Sequence, residues 1–253
     1  MLDMQTLNSV NKAGSSAEEA INHIGIIMDG NRRFARKLML EPWKGHEWGQ
    51  KKVEEVLEWC ADAGVRCVTF YTLSLENIAG RPKIELDYLY GLMEKVALDV
   101  VNRKNHSVHT KRVRVNIVGR RETLPVKLQK LLSKVEEITK GYRDYEANFA
   151  IAYSSRTEMI DAVKKIADKV SRGIIDASKI SESTIKENLY SPSMSDPDLI
   201  IRTGGEKRLS NFLLFQSAYS ELFFTDTPWP EFSKNDFMAA ISDFHRRKRR
   251  FGA

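Results

Sequence analysis

The sequence is poor in cysteine and has no long hydrophobic run. Its 253 residues include only two cysteines, Cys60 and Cys67, which are too few for a disulfide framework and lack the spacing of metal ligands. No apolar stretch is long enough to span a bilayer, and the first residues lack the apolar segment of a signal peptide. We therefore expect a cytoplasmic protein, whose peripheral contact with a membrane surface these absences still allow.

Motifs for nucleotide binding and for serine hydrolases are also missing. The chain has neither a Walker sequence nor a G-x-G-x-x-G sequence, and it has no nucleophile elbow for a Ser-His-Asp triad. Its formal net charge of +6 fits an anionic small molecule, an anionic membrane or nucleic acid. Because no basic surface with interleaved aromatic residues and no known reader motif is visible, we expect no nucleic-acid partner.

Short apolar runs alternate with helical patterns along the chain, and no linker rich in proline, glycine or serine interrupts them. We divide the chain into a polar N-terminal segment, residues 1–22, and one domain, residues 23–253. The alternation predicts an α/β fold with a six-stranded, mostly parallel sheet flanked by helices. The predicted strands are 24–28, 67–73, 114–118, 148–153, 199–202 and 222–224.

Polar clusters follow four of these strands, at Asp29, Ser74, Ser154 and Arg202. The carboxyl ends of parallel strands lie at one edge of a sheet, and doubly wound folds bind their ligands there. After Asp29 in the sequence, several arginines lie at the start of a predicted helix, whose N–H groups would also attract an anion. Taken alone, this basic start could equally be a solvated face.

The stretch 202–221, RTGGEKRLSNFLLFQSAYSE, carries the strongest chemical signal. Its glycines and arginines suggest an anion-binding loop followed by a short helix, with the carboxylate of Glu221 beyond. Two carboxylates, Asp29 and Glu221, would repel a phosphate group unless a hard cation lay between them, which indicates Mg²⁺. An apolar helix precedes this stretch and either packs in the core or lines a tunnel for an apolar ligand; its apolar positions are Leu89, Leu92, Met93, Val96, Ala97 and Val100.

Four stretches in this order resemble motifs of one family, the cis-prenyltransferases of the undecaprenyl diphosphate synthase type. They are HIGIIMDGNRRFA, SLEN followed by RP, IRTGGEKRLSNFLLFQSAYSELFFTD, and the final Arg250-Phe251-Gly252. The resemblance extends from His23 to Gly252. It implies a homodimer with one six-stranded sheet in each subunit. It also implies a Mg²⁺-dependent reaction in which an allylic prenyl diphosphate ionises and isopentenyl diphosphate attacks it, forming a cis double bond.

The resemblance further implies roles for individual residues. Asp29 would lie between the two diphosphates and hold Mg²⁺, with Glu221 supporting the metal from across the dimer, and Asn77 would lie where the departing proton is handled. The residues implied for the donor diphosphate are Gly30, Asn31, Arg32, Arg33, His46 and Arg81. Those implied for the acceptor diphosphate are Arg202, Arg208, Ser210 and Arg250, the last reaching the site of the other subunit. The helix around 89–100 would form a wall of the product tunnel.

Several positions depart from the family pattern around the reacting centre. Arg32 stands where the family usually has glycine, and Pro42 stands where it usually has arginine, which suggests a relocated positive charge. The family's Asn-Tyr-Gly-Gly-Arg is Ala-Tyr-Ser-Ser-Arg at 152–156. Ile78 stands where the family has an aromatic residue, with an extra residue before Arg81, and Phe215 stands where it has tryptophan. We therefore expect an active enzyme that is atypical in product length, regiochemistry or acceptor. The alternative is a non-catalytic partner subunit of a heteromeric cis-prenyltransferase, which the retained Asp29 and Glu221 oppose.

Overall fold

A computed structural model of the chain describes residues 20–247. Its sheet has six strands in the order β3-β4-β2-β1-β5-β6, and every neighbouring pair is parallel. The strands are β1 His23–Ile27, β2 Cys67–Ser74, β3 Val113–Val118, β4 Tyr145–Tyr153, β5 Leu199–Arg202 and β6 Glu221–Phe224. The α/β prediction and all six predicted strands are confirmed.

Helices connect the strands and cover the sheet. They are α1 Asn31–Lys37, α2 Gly45–Asp62, α3 Leu75–Gly80, α4 Lys83–Asn102, α5 Ser107–Thr110, α6 Val126–Thr139, α7 Ser155–Ser171, α8 Glu182–Lys186 and α9 Lys234–Arg246. None of the helices within residues 20–247 combines the length and the hydropathy that crossing a membrane requires. The predicted polar N-terminal segment, residues 1–22, lies almost entirely outside the described residues, so its boundary stays a prediction.

One local prediction is wrong. The stretch 202–221 was expected to contain a short helix, but residues 203–220 form turns and bends without one. Ser210, Asn211 and Leu213 all adopt positive φ angles, of 49°, 67° and 45°. A right-handed helix requires negative φ angles, so these three residues fold the chain into a compact loop instead.

The neighbouring strands β1 and β5 are completely buried, as expected for strands of a parallel sheet that is covered on both faces. β1 lies between β2 and β5, and its partner residues run from Ile24 opposite Leu199 to Ile27 opposite Arg202. From β1 the chain proceeds to one side of the sheet and returns through β5 on the other side. This reversal creates a crevice at the carboxyl ends of β1 and β5, where such folds bind ligands.

A large hydrophobic core on one face of the sheet supports this crevice. It includes Phe70 of β2 and the fully buried Trp229, whose ring centroids are 6.3 Å apart. The indole Nε1 of Trp229 donates a hydrogen bond of 2.7 Å to the carbonyl oxygen of Gly49 in α2. The chain after β6 is thereby fixed against α2, directly beneath the loop that follows β1.

Two glycines in helices provide a matched test of this packing. A Cβ atom at Gly45, in the first turn of α2, would lie 2.0 Å from the carbonyl oxygen of Asn31, whereas one at Gly91 in α4 would meet nothing within 4 Å. We expect Gly45→Ala to destabilise the protein by about 3 kcal/mol or more because backbone must move. Gly91→Ala should stabilise it by about 0.5–1 kcal/mol. Urea denaturation measures the free energy of unfolding of both variants. Equal changes in the two variants would contradict this account.

The buried His23 predicts acid sensitivity. Its ring nitrogens lie 2.6 Å from the carbonyl oxygen of Ser195 and 2.7 Å from Oγ1 of Thr69, and burial lowers its pKa to about 4. Between pH 6.5 and 4 the unfolded chain therefore binds a proton that the folded chain does not. As the pH decreases through that window, the free energy of unfolding should fall by up to about 1.4 kcal/mol per pH unit because of this histidine. In denaturation across this range, His23→Gln should have a shallower slope; an unchanged slope would contradict the assignment.

Candidate active site

Three strand ends deliver the polar groups of the candidate site. Asp29 follows β1, Arg202 ends β5, and Asn77 lies in α3, immediately after β2. The hydroxyl of Ser74 caps α3 by accepting a hydrogen bond of 3.0 Å from the backbone nitrogen of Asn77, which fixes the start of that helix. All three predicted residues line one cavity.

Arg202 is buried and is surrounded by oxygen atoms. Its Nη2 donates a hydrogen bond of 2.9 Å to Oδ2 of Asp29, and its Nη1 donates one of 2.7 Å to Oγ of Ser210. Nη1 also contacts the backbone carbonyl of Arg208. Its Nε has no hydrogen-bond partner among the described residues. The guanidinium group therefore joins the end of β1 to the loop after β5, and it keeps one donor unused.

The loop after β5 is held in place by Asn211, which the sequence analysis missed. Its Oδ1 accepts a hydrogen bond of 2.9 Å from the backbone nitrogen of Arg156, and its Nδ2 donates to Glu76 at 2.7 Å and to Ser154 at 2.6 Å. One side chain thus connects this loop to the ends of β2 and β4. Asparagine also tolerates the left-handed conformation that this position adopts.

The loop after β1 brings a second group of predicted residues together. Gly30, with a φ angle of 102°, precedes α1. The backbone nitrogen of Gly30 donates a hydrogen bond of 2.6 Å to Oδ1 of Asp29. Nη2 of Arg33 lies 3.5 Å from the same carboxylate oxygen. A Cβ atom at Gly204, whose φ angle is 82°, would lie 2.9 Å from the backbone carbonyl carbon of Asp29 and 2.8 Å from that Nη2, so this position requires glycine.

Asn31 and His46 complete this side of the site, and each keeps a free polar atom. Nδ2 of Asn31 donates a hydrogen bond of 3.0 Å to the carbonyl oxygen of Met28. Oδ1 of Asn31 and Nε2 of His46 are both buried without a hydrogen-bond partner among the described residues. Burial, together with the positive charges of Arg81 and Arg32, lowers the pKa of His46 to about 3. His46 is therefore neutral at physiological pH in the ligand-free chain.

Two cavities meet at Asp29. The smaller, of about 320 Å³, is lined by polar and charged groups, among them Gly30, Asn31, Arg32, Arg33, Arg36, His46, Arg81 and Arg208. The larger, of about 430 Å³, begins at Asp29, Asn77, Arg202 and Ser210 and continues as a mainly apolar space. Its apolar walls include Leu57 of α2, Leu89, Met93 and Val96 of α4, Leu132 of α6, and Phe149 of β4. α4 is therefore both a core helix and a wall of the cavity.

Glu221 does not join this group in the described chain. Glu221 pairs with Leu199 at the start of β5, whereas Asp29 contacts Arg202 at its end, about 10 Å further along a parallel strand. The carboxylate of Glu221 instead accepts a hydrogen bond of 2.7 Å from Arg247. Arg250 lies outside the described residues, so its implied role stays a prediction.

Asp29 offers the ligand chemistry that a magnesium ion needs. Its carboxylate is one-third exposed and faces both cavities. Residues 20–247 contain no cluster of three or more histidine, cysteine, aspartate or glutamate side chains that could hold a metal ion unaided. Mg²⁺ commonly binds proteins through one or two carboxylates together with substrate phosphates. The site fits a metal that arrives with an anionic substrate and does not fit a permanent metal centre.

Comparison with known proteins identifies the family of this chain. Residues 27–252 match the model of a family described as undecaprenyl diphosphate synthase. The chain belongs to the undecaprenyl diphosphate synthase family. It is 51% identical over 230 residues to a tritrans,polycis-undecaprenyl-diphosphate synthase (geranylgeranyl-diphosphate specific) of Methanopyrus kandleri, which covers 91% of this chain and 84% of that protein. A protein of the same name from Pyrococcus horikoshii is 49% identical over 230 residues, with 91% and 86% covered.

The fold of the chain is also similar to that of a solved prenyl diphosphate synthase. The crystal structure of lavandulyl diphosphate synthase from Lavandula x intermedia, in complex with dimethylallyl diphosphate, has a TM-score of 0.87 and 30% identity to this chain. The superposition covers 92% of this chain and 99% of the chain in that structure. The chain is thus a cis-prenyltransferase, which condenses an allylic prenyl diphosphate with isopentenyl diphosphate, and dependence on Mg²⁺ is general for its family. The family and the enzyme class predicted from the motifs are confirmed.

Asn211 should control both stability and binding at the loop after β5. Asn211→Ala removes three hydrogen bonds and places alanine at a φ angle of 67°, so we expect a loss of about 2–4 kcal/mol in stability. Asn211→Gly keeps the backbone conformation and should lose less. Both variants should raise the KM for the acceptor more than the KM for the donor. Steady-state kinetics with equal changes in the two KM values would contradict this.

Proposed function

We propose that the chain extends geranylgeranyl diphosphate with isopentenyl diphosphate units in cis geometry, producing a polyprenyl diphosphate. The observation that supports this most strongly is that the smaller, cationic cavity meets the larger cavity at Asp29, and that the larger cavity continues from there as a mainly apolar space. An allylic diphosphate has this shape, with an anionic end and a hydrocarbon chain. The names of the archaeal relatives, which specify geranylgeranyl diphosphate, support the choice of donor.

In this proposal the smaller cavity binds the donor diphosphate. Its cationic and hydrogen-bond donor groups come from Gly30, Asn31, Arg32, Arg33, His46 and Arg81. The acceptor diphosphate binds Arg202, Arg208 and Ser210, with Arg250 as a further candidate. The unused Nε of Arg202 supports this assignment, because a buried donor without a partner suits an incoming anion.

The proposed reaction breaks the bond between the allylic carbon and its diphosphate oxygen. The diphosphate gains negative charge as the bond breaks, and the fixed guanidinium groups stabilise that charge. The terminal alkene carbon of isopentenyl diphosphate then bonds to the allylic carbon, and loss of one proton creates the new double bond. Apolar walls keep water from the cationic intermediate. Asn77 lines the cavity at the point where the two halves meet.

Mg²⁺ would be held by Asp29 together with the substrate phosphates, and bound there it would neutralise phosphate charge. We propose a homodimer in which Glu221 from a second copy of the chain approaches this site. Two observations support the dimer: Glu221 is remote from Asp29 within one chain, and β6 is an edge strand next to a loop with exposed Leu214 and Tyr219. An edge strand left uncovered is a ready pairing surface.

We further propose a cytoplasmic enzyme with peripheral membrane contact, since the product is largely hydrocarbon. Residues 38–40 support this contact. Met39 is 96% exposed, and its neighbours Leu38 and Leu40 are also more than one-third exposed, beside the basic end of α1. An exposed apolar tip flanked by cationic side chains suits an anionic lipid surface.

Incubation of the pure protein with Mg²⁺, labelled isopentenyl diphosphate and allylic donors from dimethylallyl to geranylgeranyl diphosphate tests the activity. We expect geranylgeranyl diphosphate to give the highest kcat/KM and a series of cis-extended chains, and chelation of Mg²⁺ to stop the reaction. A single irregularly joined or short product would support the atypical chemistry that the altered motifs predict. Absence of product from every donor would contradict the proposal and favour the non-catalytic partner subunit.

Mixing two inactive variants tests whether the site is shared. If Asp29 and a Glu221 from the second copy form one site, a heterodimer of Asp29→Ala with Glu221→Ala contains one intact site. We therefore expect the mixture to recover part of the activity that each variant lacks alone, after subunits have exchanged. A mixture as inactive as its components, with exchange shown by mass spectrometry, would contradict the shared site.

A further inference from the structure

Glu85 is a buried carboxylate next to the donor site, with no role assigned above. It lies in the first turn of α4, and its side chain is only 2% exposed. Its Oε1 atom has no hydrogen-bond partner among the residues that the structure describes. A buried charge of this kind is costly unless opposite charges lie close by.

Two guanidinium groups supply those charges. Nη1 of Arg81 lies 3.3 Å from Oε1 of Glu85, and Nε of Arg32 lies 3.9 Å from the same oxygen. Both arginines line the smaller cavity. Burial lowers the pKa of Arg81, and the charge of Glu85 opposes that shift. One carboxylate therefore lies between two cations that would otherwise repel each other at the edge of the cavity.

The contact continues from Arg81 to Asn77. Nη2 of Arg81 donates a hydrogen bond of 3.1 Å to Oδ1 of Asn77. A guanidinium group donates hydrogen bonds and cannot accept them, so it selects the oxygen of the amide and leaves the amide nitrogen as a donor for another group. Asn77 itself lines the larger cavity. The hydrogen bond from Arg81 thus orients the amide of Asn77, and the ion pair with Glu85 holds Arg81 in place.

We propose that Glu85 is a positioning residue for the donor diphosphate, holding Arg32 and Arg81 at the cavity and, through Arg81, orienting Asn77. This inference rests on the proposed binding of the donor diphosphate in the smaller cavity. Preorganised cations bind an anion without the entropy cost of ordering long side chains. Arg32 stands where the family usually has glycine, so Glu85 balances one more cation here than the family pattern requires.

The test compares Glu85→Gln with Glu94→Gln. Both change glutamate to its neutral isostere in α4, but Glu94 pairs with Lys127 at 2.5 Å and lines neither cavity as described. For Glu85→Gln we expect the KM for the allylic diphosphate to rise about tenfold, the scale of one lost charge-assisted contact, with the acceptor KM unchanged. Glu94→Gln should match the wild type in both. Unchanged donor KM, or equal rises for donor and acceptor, would overturn the proposal.

Binding of inorganic diphosphate, measured by calorimetry, separates this inference from the proposed function. A protein that binds diphosphate, and binds it about tenfold more weakly after Glu85→Gln, retains the positioning role even if no donor gives product. Arg32→Gly should weaken binding strongly in the wild type and much less in the Glu85→Gln background, because the two residues act through one contact. Additive effects would overturn the shared contact. If Glu85→Gln does not fold, Glu85→Asp, which shortens the side chain and keeps its charge, takes its place in both measurements.

Discussion

The guanidinium group of Arg202 can remain buried only because oxygen atoms surround it. Asp29, Ser210 and the carbonyl of Arg208 provide these oxygens from two separate loops. The arrangement of the two loops depends on this contact, since it fixes the loop after β1 relative to the loop after β5. The two cavities meet at Asp29, so the groups proposed to bind the donor and those proposed to bind the acceptor lie on either side of this contact.

The division between polar and apolar surface follows from the parallel sheet. All carboxyl ends lie on one edge, so the charged residues that follow the strands collect there, while the strands and α4 present apolar side chains below them. A substrate with an anionic head and a hydrocarbon tail can bind in only one direction in such a space. In the proposed reaction the same arrangement would keep the reacting carbon at the boundary between the two regions.

The sequence predicted the residues whose position depends only on strand order. Asp29 and Arg202 directly follow apolar strands, so their meeting could be deduced before the structure was known. Asn211 could not be found in this way, because its three contacts depend on a loop with positive φ angles where a helix was expected. Glu85 was hidden among the acidic residues of a helix start, although its spacing of four residues from Arg81 was a usable signal.

The pairing of β1 with β5 also determines when the site can form during synthesis of the chain. The backbone nitrogen of Asn22 bonds to Asp198, which is 176 residues away, and the register of β1 against β5 continues this long-range contact. On a ribosome, β1 to β4 are synthesised while the Arg202 strand is still untranslated. Contacts of such high sequence separation form late in folding. Trp229 of the apolar core is also synthesised after Arg202, so the nascent protein completes its core and its charge centre together, and only then can it bind its diphosphate substrates.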